Sequence, residues 1–344
     1  MTLWMELEQD GFEQLVWCRD RESDLTAFIA IHSTKRGPAL GGCRLWPYPH
    51  EEAAVQDAMR LARSMTYKAA AAELSYGGGK AVVIGRVGDH GNAKRFEALG
   101  RFIDRLNGAY WTGVDVGTTA VDMDHVALHT PYVTDTTGSL GGTGDWTADM
   151  TAYGVYEGIQ VSAQRTFGSR ALAGRTIAVQ GLGKVGWALC RYLHRAGAQL
   201  IVTDLSVSLV EQAVREFNAL PVAPDRVYDA ACEIFAPCAL GGVIHEGTID
   251  RLKCRIVAGS ANNQLRDPSF ALALKQQNIM YAPDYVINAG GVIATAAELD
   301  GEGTFRTRSR VKRIGRTLDA IYTESARSNG TTTQAADDFA ELRM

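Results

Sequence analysis

Along the first half of the chain, short apolar runs alternate with longer segments whose apolar positions recur every three or four residues. Gln14 to Arg19 (QLVWCR), Leu25 to Ile31 (LTAFIAI), Gly41 to Trp46 (GGCRLW), Lys80 to Ile84 (KAVVI) and Ala109 to Asp115 (AYWTGVD) are brief, rich in β-branched or aromatic residues and bounded by turn formers. They predict strands of one sheet. Between them, Ala54, Val55, Ala58, Met59, Leu61, Ala62 and Met65 sit at helical spacing within Glu51 to Met65, and Phe96, Leu99, Phe102 and Leu106 do so within Lys94 to Asn107. This half reads as α+β or α/β. The most linker-like stretch follows it, Thr134 to Asp145 (TDTTGSLGGTGD), dense in Gly, Ser and Thr.

The second half opens with a helix predicted over Ala152 to Arg165. A β-branched strand, Thr176 to Gln180, then runs into Gly181-Leu182-Gly183-Lys184-Val185-Gly186. A helix through His194 follows, and a second strand, Leu200 to Asp204, ends in an acid eighteen residues after Gly186. Glycine turns are common, so the motif alone says little; the strand, turn, helix, strand and acid together predict a dinucleotide fold. Ile234 to Pro237, Arg255 to Ala258 and Ile279 to Ala282 continue the alternation. A last helix is expected from about Phe305 to Ser325, with Val311, Ile314, Leu318 and Ile321 on its apolar face and six basic residues between Arg306 and Arg316 on the solvated one.

The chemistry of the glycine motif is direct. Gly181 makes the tight turn, Gly183 lets the backbone approach a pyrophosphate, and Gly186 permits close helix–strand packing, with Leu182, Lys184 and Val185 completing the phosphate turn. Asp204 is placed for the ribose hydroxyls. Its charge would repel a 2′-phosphate and Leu205-Ser206 offers no arginine, so the cofactor expected is NAD rather than NADP. Strand ends in such a sheet line the ligand crevice, which makes Ala258 to Asn263 and Asn288 to Gly291 candidate cofactor loops; each also reads as a plain asparagine–glycine turn.

At 344 residues the chain exceeds the length at which one core usually divides, so two domains are expected. With 46% hydrophobic and 22% charged residues and a net charge of −4, it gives no electrostatic case for nucleic acid or acidic membranes. The N-terminus carries acids where a signal peptide needs bases, and no run of eighteen apolar residues occurs, so a cytoplasmic protein is expected. The six cysteines form no C-x-x-C pair; buried free thiols are expected, with no metal site.

A nicotinamide cofactor needs something to oxidise, and the first half offers Lys68, Lys80, Asp115 and Arg44. Lys68 closes the Leu61 to Lys80 stretch's helix, whereas Lys80 follows Gly77-Gly78-Gly79, where backbone or ligand must approach closely. Two lysines in a semi-closed site would repel each other's protons, and desolvation would add to this, so one of them is a candidate base. Taken singly, each lysine reads equally as a surface cation and Asp115 as a strand-end turn residue.

Gly37 to Gly42 (GPALGG), Met65 to Lys68 (MTYK), Gly77 to Lys80 (GGGK), Thr112 to Gly117 (TGVDVG), Gly181 to Gly183, Ala236 to Gly242 (APCALGG), Ala261 to Gln264 (ANNQ) and Ala282 to Gly291 (APDYVINAGG) together resemble the leucine/phenylalanine/valine dehydrogenases of the glutamate dehydrogenase superfamily, in unbroken order from about residue 12. The resemblance implies an α/β protein of two domains separated by a cleft: a catalytic, oligomer-forming domain (1–140 with about 325–344) and a Rossmann-type NAD-binding domain (141–324). It also implies reversible, NAD-dependent oxidative deamination of a hydrophobic L-amino acid to its 2-oxo acid and ammonia by a homo-oligomer. By that similarity Lys68 binds the substrate carboxylate with help from the Gly41 backbone, Lys80 is the general base and Asp115 shuttles a proton at the amino group. Asn262, Asn288 and Ala261 contact substrate or nicotinamide, and Thr151 the carboxamide.

Substrate choice is then argued residue by residue. Where glutamate dehydrogenases place a lysine, this chain has Leu40, an apolar wall for an acidic side chain. Leu40, Gly41, Met65, Lys68, Gly113, Asn262 and Val286 are the expected substrate-binding set. Gly113, where leucine and valine members carry alanine, leaves room for a ring, while Val286 is shared with leucine-type members; both aromatic and branched aliphatic substrates fit this mixture. The chain departs from the family in Asp145 to Met150 (DWTADM), which replaces a proline-rich step, so Trp146 and Asp149 bear on closure and Thr151's part is less fixed. The alternatives are an NADP-dependent glutamate dehydrogenase, opposed by Leu40 and Asp204, and a non-catalytic NAD-binding sensor, opposed by the retained Lys68, Lys80 and Asp115.

Overall fold

A helix, α1 (Leu3–Gln9), leads into the hairpin β1 (Gln14–Asp20) and β2 (Leu25–Ser33), paired antiparallel from Gln14↔Ile31 to Asp20↔Leu25. This computed structural model describes residues 3–344. Next come β3 (Ala39–Leu40), β4 (Cys43–Trp46), α2 (Glu51–Ala71), β5 (Gly77–Ile84), α3 (Asn92–Asp104), β6 (Tyr110–Trp111) and α4 (Ala120–Ala127). The sheet runs β1-β2-β5-β3-β6, with β4 also on β5; β3 and β4 are parallel to β5, β2 antiparallel.

Alternation along the strands sorts the core into two layers. Phe28, Ala30 and Val82 face Ala54, Val55, Ala58 and Met59 of α2, while Ile29, Ile31 and Val83 face Phe96, Leu99 and Ile103 of α3 and Met123 and Val126 of α4. Each fully buried Val, Leu, Ile, Phe or Met side chain among them contributes ~2 kcal/mol. The glycines of β5 are needed because the neighbours press in. A Cβ at Gly77 would meet the Ser33 carbonyl, one at Gly78 the backbone of Thr66 on α2, and one at Gly79 the Tyr110 ring at 2.8 Å. The close approach expected before Lys80 is therefore made by the chain itself. Of the strand expected over Ala109 to Asp115, only Tyr110–Trp111 is regular; beyond it the backbone turns through Gly117 at φ +84°.

The second half contains α5 (Asp145–Phe167), β7 (Thr176–Gln180), α6 (Lys184–Arg195), β8 (Gln199–Thr203), α7 (Val207–Phe217), β9 (Leu220–Pro221), β10 (Ile234–Pro237), β11 (Ile256–Val257), α8 (Phe270–Gln276), β12 (Met280–Tyr281), α9 (Asp284–Ile287) and α10 (Gly290–Leu299). It closes with α11 (Thr304–Val311), α12 (Arg313–Ser328) and α13 (Thr332–Glu341). Its strands pair in parallel in the order β12-β11-β10-β7-β8-β9, and the order reverses between β7 and β10. A reversal of that kind opens a ligand crevice at the carboxyl ends of the two strands.

The chain divides into two units, one of residues up to Gly144 with Glu298–Asp300 and Ala340–Met344, the other of Asp145–Ala297 and Gly301–Phe339. The single helix expected over Phe305 to Ser325 is two helices meeting at Lys312, where Gly315 N–H donates to the Lys312 carbonyl at 3.3 Å, three residues back. The break coincides with the close packing of Gly315 against Val161 of α5. Among the described residues no helix is long and apolar enough to cross a membrane, and all six cysteines are free thiols.

Candidate active site

Lys80 lies in the centre of β5 opposite Ala30 of β2, and only 4% of it is exposed. A buried ammonium needs a counter-charge. Its Nζ donates to Asp115 Oδ1 at 3.0 Å, and Arg44 Nε on β4 donates to Asp115 Oδ2 at 3.0 Å. Burial by itself would raise the Asp115 carboxyl, but Lys80 and Arg44 outweigh it and hold it down at about 2. A second layer fixes Arg44: its Nη1 donates to Asp57 Oδ2 at 3.0 Å, Tyr48 donates to the same oxygen at 2.5 Å, and Arg60 donates to Oδ1 at 2.6 Å.

The turn that carries Asp115 is tied on both sides. Asp115 N–H donates to Thr118 Oγ1 at 2.9 Å, and that hydroxyl donates in turn to the Cys43 carbonyl at 2.9 Å. Cys43 N–H donates to the Gly113 carbonyl at 2.8 Å, and Leu45 N–H to the Val116 carbonyl at 3.0 Å. Asp115 is thus presented by a braced turn.

Lys68 stands half-buried in the last turn of α2, one turn beyond Met65, so the two share a helix face. A Cβ on Gly41 would strike the Gly79 carbonyl and come within 3.4 Å of Met65 Cγ, which places Met65 over the Gly41 backbone. Leu40 is buried beside them on β3.

In the second unit the three glycines of the turn take three physical roles. Gly181 has φ +97° and its Cβ position is filled by Ala239; Gly186 packs on the Gly181 carbonyl; Gly183 has nothing within 4 Å of its Cβ position. The first two shape the turn and the third leaves its backbone open, as a pyrophosphate cradle requires. Gly183 caps α6, whose first residues are Lys184 and Val185; Lys184 Nζ also pairs with Asp145 at 3.0 Å. Asp204, at the end of β8, accepts from Leu182 N–H at 2.6 Å and Ser206 N–H at 2.8 Å, and each of its oxygens keeps a lone pair for a ribose hydroxyl.

The two asparagine loops meet. Asn288 Nδ2 donates to Asn262 Oδ1 at 2.7 Å and to the Ser260 carbonyl at 3.1 Å, while Ala261 N–H donates to the Pro237 carbonyl at 2.9 Å. Asn288 is 6% exposed and its own Oδ1 has no hydrogen-bond partner, a buried acceptor available to a bound donor such as a carboxamide. Thr151 of α5 donates to the Thr147 carbonyl at 2.8 Å, and a Cβ at Gly291 would come within 2.9 Å of its hydroxyl. Val286 is buried on α9 in the same unit.

Family models match along both units: Glu/Leu/Phe/Val dehydrogenase, dimerisation domain, over residues 13–132, and Glutamate/Leucine/Phenylalanine/Valine dehydrogenase over 141–213 and 206–338. The chain belongs to the Glu/Leu/Phe/Val dehydrogenase family. It is 48% identical over 344 residues to the leucine dehydrogenase of Geobacillus stearothermophilus, covering 100% of this chain and 94% of that one. It is 43% identical over 330 residues to the phenylalanine dehydrogenase of Lysinibacillus sphaericus, covering 94% and 86%. The crystal structure of L-tryptophan dehydrogenase from Nostoc punctiforme superposes with a TM-score of 0.87 at 40% identity, covering 99% of this chain and 98% of that one. The protein is an amino acid dehydrogenase.

Lys80 has the attractive Asp115 within ion-pair distance. Two expectations for this dehydrogenase change in detail. The Gly41 N–H is already donated to the Trp111 carbonyl at 3.1 Å and its carbonyl accepts from Tyr110 OH at 2.6 Å, so that backbone is committed to the sheet and serves by its lack of a side chain. Gly113 does not open room for a ring: the space a methyl would take there is filled by the Asp135 carboxylate and the Thr134 hydroxyl.

The unusual Asp145 to Met150 segment forms the first turns of α5. Asp149 accepts from Tyr192 OH of α6 at 2.9 Å and lies 3.6 Å from Arg191, so it joins two helices of its own unit. Sequence reasoning noticed Arg44 without giving it a role and passed over Tyr48 and Asp57. Their signal is tertiary, since only the β4–β5 pairing and the packing of α2 bring them to Asp115.

Proposed function

We propose that the protein catalyses NAD-dependent, reversible oxidative deamination of a hydrophobic L-amino acid to its 2-oxo acid and ammonia. The observation that carries this reading is the buried Lys80–Asp115 pair at 3.0 Å, in a chain that also bears the glycine turn and Asp204. Bound at that turn, the nicotinamide cofactor supplies the hydride acceptor for the substrate Cα–H.

The remaining steps belong to the chain's own residues. Lys68 binds the substrate carboxylate as a fixed cation. Asp115, ionised at neutral pH, accepts and returns the proton of the substrate amino group, and Lys80 activates the water that adds to the imine carbon before ammonia leaves. Arg44 keeps the Asp115 carboxylate aimed through a second oxygen. Asn288 Oδ1 and Thr151 are the acceptor and hydroxyl offered to the carboxamide.

Leu40, buried and apolar, disfavours a glutamate side chain, and Val286, shared with leucine-type members, suits branched aliphatic ones. The carboxylate of Asp204 selects NAD over NADP. A homo-oligomer is the expected assembly, and a cytoplasmic location the expected setting. The test is purified protein with NAD and a panel of L-amino acids at alkaline pH, read as NADH absorbance and as kcat/KM for Phe, Trp, Leu, Val and Glu, with NADP in parallel. Absence of signal with all the hydrophobic substrates, or a preference for glutamate with NADP, overturns the proposal.

A further inference from the structure

The segment that sequence composition marked as linker, Thr134 to Asp145, carries a buried acid at the back of the catalytic turn. Asp135 is 8% exposed and sits at φ +59°, a left-handed conformation that costs ~1 kcal/mol or more for a residue with a side chain. Its side chain is packed between two glycines. One oxygen, Oδ2, fills the space a side chain would take at Gly113, and the other, Oδ1, fills that space at Gly141. Oδ2 accepts the Val114 N–H at 2.9 Å and the Thr134 hydroxyl at 3.2 Å, whereas Oδ1 is buried with no hydrogen-bond partner.

The neighbouring backbone holds this acid in place. Thr134 N–H donates to the Thr112 carbonyl at 2.8 Å and Thr112 N–H to the Tyr132 carbonyl at 3.1 Å. Glu298 accepts from Leu140 N–H at 3.0 Å and Gly141 N–H at 3.1 Å, pinning the loop where Oδ1 lies. A fold that places a carboxyl in a strained, buried position with one oxygen unsatisfied must gain something from the oxygen that is bonded. That oxygen holds the residue immediately before Asp115.

We propose that Asp135 is a positioning residue: through the Val114 N–H it fixes the turn that aims Asp115 at Lys80 and Arg44. Cys43 and Leu45 brace the turn from the β4 side, and Asp135 supplies the opposite brace. A displacement of about 1 Å in a catalytic group is enough to cost on the order of 100-fold in rate. The inference rests on the assignment of Asp115 to the chemistry, and its test keeps the two apart.

Asp135→Gly removes the carboxyl at a φ that glycine adopts freely, and Asp135→Asn keeps an oxygen that can accept from Val114 in a residue that tolerates left-handed backbone. Kinetics with the best hydrophobic amino acid are paired with amide hydrogen exchange of a peptide spanning Gly113 to Thr118. Asp135→Gly is expected to lower kcat roughly 10- to 100-fold with KM for NAD changed less than about twofold, and to speed exchange in that peptide. Asp135→Asn is expected to return kcat to within about threefold and to restore protection.

A kcat for Asp135→Gly within about twofold of the parent, equal losses in both variants, or unchanged exchange in the peptide would overturn the proposal. If Asp135→Gly does not fold, Asp135→Ser, too short to reach Val114, takes its place with the same expected losses. Asp115→Asn serves as the control for the underlying reading: full activity there removes Asp115 from the chemistry, while the exchange result still decides whether Asp135 braces the turn.

Discussion

Lys80 Nζ and Asp115 Oδ1 stand 3.0 Å apart, on a strand and a turn thirty-five residues away from one another in the chain. Lys80 is walled in by the sheet and α2, and Asp115 is reached from its other side by Arg44. The pair is a salt bridge in geometry, and in the proposed reaction its two members have separate tasks, Asp115 at the amino group and Lys80 at the water. Substitutions on its two sides therefore differ in outcome.

Lys80→Ala should abolish turnover while sparing cofactor binding, because Lys80 belongs to the first unit and the glycine turn to the second. A fall in kcat of about 100- to 10,000-fold is expected, with NAD affinity by titration calorimetry unchanged. Retained turnover would take Lys80 out of its role.

Asp115→Asn should cost stability as well as rate, since it strips the counter-charge from a buried lysine, at about 3 kcal/mol. The pH dependence has a defined sign. The folded carboxyl is held at about 2 against an ordinary 3.8, so its contribution is complete above 3.8 and is lost as pH falls through about 2. Urea midpoints of parent and variant should differ by a constant amount near neutral pH and converge in that acid window; a gap that widens there would contradict the pairing.

Glycines in the two units should respond in opposite ways. Gly78→Ala forces a methyl into the Thr66 backbone and should destabilise the fold by about 1 to 3 kcal/mol. Gly183→Ala meets nothing within 4 Å, so the melting temperature should hold while KM for NAD rises about tenfold. Thermal melts alongside NAD kinetics decide both.

If Asp204 has the proposed cofactor role, Asp204→Ala should lower kcat/KM for NAD and narrow its advantage over NADP by about tenfold or more, because a carboxylate placed for a ribose hydroxyl would also repel a 2′-phosphate. An unchanged cofactor ratio would mean that Asp204 serves only Leu182 and Ser206 N–H.

Burial pushes the Asp135 carboxyl up, so the fold is penalised as pH rises through its ordinary value towards its native one. Asp135→Asn lacks that ionisation. Its stability relative to the parent should grow with pH above about 3.8 and then level off, as chemical denaturation at several pH values would show.

The amino acid sequence by itself determined the periodic elements and the chemistry that lies in contiguous residues. The strands from Gln14, Leu25, Thr176 and Ile234 and the helix from Glu51 appear where their spacing puts them, because each needs only local alternation and one apolar face. The glycine turn was equally legible, since its three roles are set within six residues. Tertiary structure decided what non-local contacts decide. It showed that Gly77 to Gly79 admit the chain's own backbone, that Gly113 makes way for Asp135, and that Arg44 is drawn to Asp115. It also turned a segment with the composition of a linker into the wall behind the turn that carries Asp115. Composition reports how readily a segment bends, and only the packed neighbours determine which of its polar groups are buried and what they must bind.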